Sequence, residues 1–163
     1  MHITSSTGQN KAIMKRRKRG KMVRTIGKIL FLLYIAFIIY FLIFSDWYGR
    51  TVMGTYRYNL VPFKEIRRFW EYRDQLGMAA MFTNLFGNIL IFIPFGFFLP
   101  MASRIRSFST TLLSSLGLSL CVEIFQFFTK VGSFDVDDLI LNTLGGVLGY
   151  LIFTACSAIR RKT

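Results

Sequence analysis

The capacity for chemistry in this sequence lies in polar residues set within or beside long apolar runs: Asn84 and Asn88, Glu123 and Gln126, the cluster Asp135, Asp137 and Asp138, and Asn142. Carboxylates exchange protons, hold cations and accept hydrogen bonds, and carboxamides both donate and accept. Asn84 and Asn88 are four apart and share a helix face. Ser115, Ser119, Glu123 and Gln126 form a second stripe that Lys130 continues, and Asp138, Asn142, Gly145 and Gly149 form a third. Glu123 carries the most information. It stands seven residues before Lys130, roughly 10 Å below a helix end at 1.5 Å per residue. An ionised carboxylate at membrane depth costs roughly 2.5–3.5 kcal/mol on the lenient insertion scale. Such a residue needs a partner, and the candidates are Arg57, Lys130 and the two asparagines. It acts either as a functional group or as a polar clamp fixing helix register.

Asp135-Val136-Asp137-Asp138 has two readings as well. Carboxylates at a helix N-terminus accept unpaired backbone N–H bonds, and Asp135 with Asp138 has the N-cap to N3 spacing. That accounts for two of the three. The third is free for a cation or a cationic group, although the spacing is not that of an EF-hand and no metal or cofactor is expected.

The elements that must position these groups follow from composition. The chain has 163 residues, 53% of them hydrophobic, with 18 Phe and a net charge of +13. Residues 29–44 are sixteen consecutive apolar residues, more than a soluble core of this size needs. Further runs cover about 78–100, 108–129 and 136–159, the second interrupted by Asn84, Gly87, Asn88 and a Pro94 at which a bend is expected. The predicted fold is an all-α integral membrane protein, a bundle of four transmembrane helices. Its domain plan is a basic tail at 1–28, the four-helix domain at 29–159 and a basic end at 160–163. The run at 29–44 reads as an uncleaved span, because no small-residue cleavage site closes it before Ser45-Asp46-Trp47.

Charge sets the expected orientation. The tail, the Arg104/Arg106 loop and the Arg160-Arg161-Lys162 end hold fourteen basic residues and no acidic one, whereas the opposite side holds seven of each sign. Both termini are therefore expected in the cytoplasm of a bacterial cell. Cations sorted in this way are topological, so no nucleic-acid partner is expected. The polar residues of spans two to four then fall in one outer half. The outer loop, 45–77, contains Phe63, Ile66, Phe69 and Trp70 at helical spacing among basic residues, which predicts a short interfacial helix opened by Pro62. The sole His, His2, removes histidine-based catalysis and zinc sites, and Cys121 and Cys156 read as small core residues. Gly145 and Gly149 form a G-x-x-x-G step that admits close approach of a helix from this chain or from a second copy.

Taken in order, Asn59-Leu60-Val61-Pro62-Phe63, Asn84-x-x-Gly87-Asn88-Ile89 running into Phe92-Ile93-Pro94-Phe95-Gly96-Phe97, Glu123-x-x-Gln126 and Asp135-x-Asp137-Asp138-x-x-x-Asn142-Thr143-Leu144-Gly145-Gly146 resemble the VanZ-like family of small bacterial membrane proteins. The resemblance spans roughly residues 57–150, leaves out the basic tail, and departs at Lys130, where an Arg is frequent. It implies an envelope role rather than a reaction, because the family is named for a member associated with resistance to teicoplanin, a lipoglycopeptide acting at the outer face of the membrane. The expected ligand-binding residues are Asn59, Asn84, Asn88, Glu123, Gln126, Asp135, Asp137, Asp138 and Asn142. The expected partners are the lipid bilayer, an envelope lipid or glycopeptide-related ligand, and a second copy through Gly145 and Gly149. Two alternatives use the same residues: an intramembrane enzyme acting on a lipid-linked substrate, with Glu123 as general acid or base beside the aspartate cluster, and a proton or ion path in a homo-oligomer.

Overall fold

The structure is a computed structural model and describes residues 4–44, 56–72, 78–130 and 132–162. Ser45, Asp46 and Trp47, which follow the run read as an uncleaved span, and the loop charges Arg50, Arg73 and Asp74 lie outside the described residues. The elements in chain order are α1 (Thr4–Phe44), β1 (Tyr58–Asn59), α2 (Lys64–Glu71), α3 (Met78–Ala102), α4 (Phe108–Thr129), β2 (Phe134–Asp135) and α5 (Val136–Lys162). Four of these helices are long and apolar enough to cross a membrane, over Ile13–Tyr40, Phe82–Ala102, Phe108–Thr129 and Val136–Arg160. The protein is an all-α membrane bundle. α1 does not stop at the basic segment but carries it as a helical extension of the first span.

Local chemistry sets the ends of these helices. Ser107 stands extended before α4, and its Oγ accepts the Thr110 N–H at 3.1 Å, an N-cap bond. At the other end Lys130 is left-handed (φ 56°) and its N–H closes on the Gln126 and Phe127 carbonyls, a C-terminal motif that turns the chain back. α3 continues through both Pro94 and Pro100. Each removes a backbone hydrogen bond, which a membrane helix tolerates when it is buried among others.

α3 and α5 form the centre, with α1 against α3 and α4 against α5. Glycines make the central approach possible. A methyl group on Gly96 would fall 1.8 Å from the Gly146 carbonyl oxygen, and one on Gly149 2.1 Å from that of Ile93. Gly145 likewise abuts Ile89. Within the chain, the G-x-x-x-G step is thus occupied by α3. The α1 contact is aromatic, with Tyr34, Ile38 and Phe95 at its centre and Phe31, Ile35 and Phe98 around them.

The distribution of polarity is inverted relative to a soluble domain. Glu123, Thr111, Asp137, Ser115 and Ser119 are among the largest fully buried side chains, while Leu32, Leu33, Leu113, Phe128 and Ile159 lie on the outside. That arrangement suits a hydrocarbon surround. Cys121 and Cys156 are also exposed on the bundle surface, contrary to the expectation of core positions. Both were read as core from residue type, a small apolar side chain, and residue type alone does not say which helix face is inward.

Two local features differ from expectation. A two-residue parallel ladder pairs Tyr58 with Phe134 and Asn59 with Asp135, fastening the loop between α1 and α3 to the α4–α5 turn. The short helix begins at Lys64 rather than Pro62, because Phe63 adopts a left-handed conformation (φ 63°) immediately before it.

Candidate functional site

The polar residues meet where the α4–α5 turn, the loop that carries β1 and α2, and the start of α5 come together. From α4, Glu123 Oε2 accepts the backbone N–H of Asp135 at 2.9 Å, in a fully buried position where Glu123 is only 1% exposed. Asp135 is the residue before α5. Its Oδ1 accepts the Asp137 N–H at 2.8 Å, closing the first turn, and also the Asn59 Nδ2 at 3.0 Å. Asn59 Oδ1 in turn accepts the Val61 N–H at 3.2 Å. One continuous set of bonds therefore runs from the interior of a membrane helix to the loop.

Asp137 acts on a different element. Its two oxygens accept the N–H groups of Phe63, Glu65 (2.8 Å) and Ile66 (3.2 Å), so a carboxylate on α5 caps the N-terminus of α2. These are the groups that a helix start leaves unpaired, and a negative charge there is favoured by the helix dipole. No side chain of α2 caps its own start. The left-handed Phe63 costs about 1–2 kcal/mol, and its N–H bond to Asp137 lies at that strained position. Asp138 accepts from Asn88 Nδ2 on α3, and Asn142 Nδ2 donates to Ser119 Oγ at 3.0 Å across the α4–α5 seam.

These bonds correct several expectations. Glu123 is paired with a backbone N–H, a kind of partner that was not among the expected candidates. Lys130 instead places its Nζ 4.6 Å from the ring centroid of Tyr56. The N-cap bond of α5 runs from Asp135 to Asp137, not to Asp138. The structure brings Asn59, Asn88, Glu123, Asp135, Asp137, Asp138 and Asn142 together, whereas Asn84 lies on the exposed side of α3 and Gln126 is half-buried beside Gly132. Sequence reasoning left Ser119 out of the site although it placed it on the Glu123 stripe. It had no signal for the Phe63, Glu65 and Ile66 amides, since backbone donors leave no mark in residue identity.

Burial holds the Asp135 carboxyl above its ordinary range. The bonds from Asp137 and Asn59 pull it down, the Asp137 charge pushes it up, and Arg68 pulls it down again. Along the α4–α5 seam, Ser115 Oγ, Asn142 Oδ1 and Thr143 Oγ1 are buried without a hydrogen-bond partner. Outside the buried set, α2 borders an open cleft of about 470 Å³ lined by Pro62, Phe63, Lys64, Arg67 and Tyr72 among others. Arg67 pairs with Glu71 and Arg68 with Glu65, each at 2.6 Å on the surface. Among the described residues no group of three or more His, Cys, Asp or Glu side chains is arranged to hold a metal ion. The three aspartates point to three different elements. What the arrangement does chemically is accept hydrogen bonds from backbone amides and carboxamides, and so lock four segments to one another.

Fold and site together define a multi-pass helical membrane protein with a buried carboxylate and carboxamide cluster that anchors its extramembrane loop. The VanZ/LLP1 family profile matches residues 31–157, most of the chain. A relative in Enterococcus faecium, Protein VanZ, is 31% identical over 137 residues, covering 81% of this chain and 76% of its own length. The chain belongs to the VanZ/LLP1 family. No solved structure matches it.

Proposed function

We propose that the protein is a non-catalytic module of the bacterial cell membrane that binds an envelope component at the outer face and thereby changes susceptibility to teicoplanin-type lipoglycopeptides. Family membership and the similarity to Protein VanZ support the link to the antibiotic. The fourteen unbalanced basic residues on one side favour an orientation with both termini in the cytoplasm, which sets the carboxylate cluster and α2 under the outer leaflet. The observation that carries the reading is the use of Asp137. It is 1% exposed, and both its oxygens serve the start of α2. Asp135 and Glu123 are likewise engaged with amides. Carboxylates so employed hold a recognition surface in place, and the bordering cleft with Lys64, Arg67 and Tyr72 is where an envelope component meets it.

The test is teicoplanin susceptibility of a susceptible bacterial host making wild-type protein, Glu123→Gln or Asp137→Leu, at membrane levels matched by immunoblot. Glutamine keeps an oxygen that accepts the Asp135 N–H, so Glu123→Gln is expected to preserve the change in susceptibility. Asp137→Leu is expected to abolish it. Loss of the effect in correctly inserted Glu123→Gln would transfer the argument to proton chemistry, in an intramembrane enzyme or a proton path.

A further inference from the structure

Two contacts fix the register of α4 against α5. Asn142 Nδ2 donates to Ser119 Oγ at 3.0 Å. Four residues back along α4 and four on along α5, Ser115 Oγ lies against Gly146, where an added methyl group would fall 2.0 Å from it. The two levels are one turn apart, about 6 Å at 1.5 Å per residue. Three polar atoms of this layer are buried without a hydrogen-bond partner: Ser115 Oγ, Asn142 Oδ1 and Thr143 Oγ1. Asn142 and Thr143 stand four and three residues before Gly146, so all three share one side of α5. Ser115 is 0% and Asn142 4% exposed, so bulk water reaches neither.

The chemistry of the three atoms is complementary through an intermediary. A carboxamide oxygen only accepts, whereas a hydroxyl both donates and accepts. Two O–H···O bonds through one water span about 5.6 Å, close to the depth of the layer and too long for a direct bond. We infer that the α4–α5 seam is a binding site for one internal water molecule, which donates to Asn142 Oδ1, accepts from the Ser115 hydroxyl and takes Thr143 Oγ1 as its third partner. Three hydrogen bonds to polar atoms that have no other partner are the usual holding of a buried water. A metal cation does not suit the layer. Such ions take about six oxygens or more, and no acidic residue lies in 115–119 or 142–146. Glu123 follows Ser119 by four on the same face of α4, so the water lies beneath the carboxylate cluster and carries its polar contacts towards the middle of the α4 span.

The experiment is water-edited solid-state nuclear magnetic resonance on the full chain in lipid bilayers, with magnetisation passed from water protons to the Asn142 side-chain amide. In wild-type protein that signal is expected to build up from water, while the rings of Phe92 and Phe95, as deeply buried but in apolar contact, stay dark. Ser115→Ala is expected to lose the transfer and to lower the melting temperature, because the water loses a donor and Asn142 Oδ1 is left unpaired. A dry seam would give the reverse, since removal of an unpaired buried hydroxyl is stabilising. Thr143→Val leaves the other two partners in place and is expected to keep a reduced transfer. An Asn142 amide as isolated from water as Phe92 in wild-type protein overturns the site without recourse to any variant. Unchanged transfer or a raised melting temperature in Ser115→Ala overturns the assignment of Ser115 as the donor, and unchanged transfer in Thr143→Val overturns the three-partner arrangement.

Discussion

At the scale of the single residue, Asp135 shows how one carboxylate is held by opposing influences. Burial raises its pKa from the ordinary 3.8, so the folded protein binds a proton there more readily than the unfolded chain does. Where the native state holds more protons, stability falls as pH increases. The contribution of Asp135 is therefore most favourable below its ordinary pKa and is lost as pH climbs through the raised value. Asp135→Asn keeps an Oδ1 able to accept from Asn59 and from the Asp137 N–H while removing the titration. Melting temperatures measured from pH 3 upward, on the order of one reading per pH unit, are expected to give a flatter profile for Asp135→Asn than for wild type. A profile of the same steepness would place the titration elsewhere. That a buried carboxylate mattered here was legible from sequence, because acidic residues in apolar surroundings are costly and therefore scarce. Its partner was not, because Glu123 bonds to the main chain of Asp135 and a main-chain donor has no letter in the sequence.

At the scale of the element, the start of α2 is built from two remote pieces of chain. Asp137 supplies the acceptors and α2 the unpaired amides. A hydrogen bond to a charged group contributes about 1.5–3 kcal/mol, so Asp137→Leu is expected to loosen α2 while the spans remain folded. Hydrogen exchange at the Glu65 and Ile66 amides is the direct reading: acceleration there, with protection in α3 and α5 unchanged, is the expected pattern. Equal acceleration throughout would make Asp137 a global stabiliser rather than an anchor for one helix. The existence of α2 was legible, since Phe63, Ile66, Phe69 and Trp70 repeat at helical spacing. Its first residue was missed because Pro62 is a common helix opener, whereas here the left-handed Phe63 redirects the chain before the helix begins. The ladder of Tyr58–Asn59 with Phe134–Asp135 is too short to show a period-two pattern, so nothing in the sequence announced it.

At the scale of the whole molecule, four spans followed from apolar run length, while their neighbour relations followed from contacts that run length does not encode. The close approach of α3 and α5 depends on Gly96, Gly146 and Gly149, and the G-x-x-x-G signal identified one side of it without naming the partner. Gly96→Ala is expected to lower the melting temperature in micelles, at a cost of about 1–3 kcal/mol for forcing a methyl into a filled contact. In contrast, Gly117→Ala, where a Cβ meets nothing within 4 Å, is expected to be neutral or stabilising. Orientation is the remaining property of the molecule as a whole. The basic flanks and the α2 surface lie at opposite ends of the spans, so the proposed contact with an outer-face envelope component requires α2 to face outward. Replacing Cys121 and Cys156, both on the bundle surface, clears the background for single-cysteine labelling. In intact cells a membrane-impermeant maleimide is then expected to label Lys64→Cys and to leave Arg104→Cys unlabelled until the membrane is opened. The reverse pattern would put the carboxylate cluster and α2 on the cytoplasmic side, where they have no access to a lipoglycopeptide at the external surface, and the proposed function would fail with the fold intact.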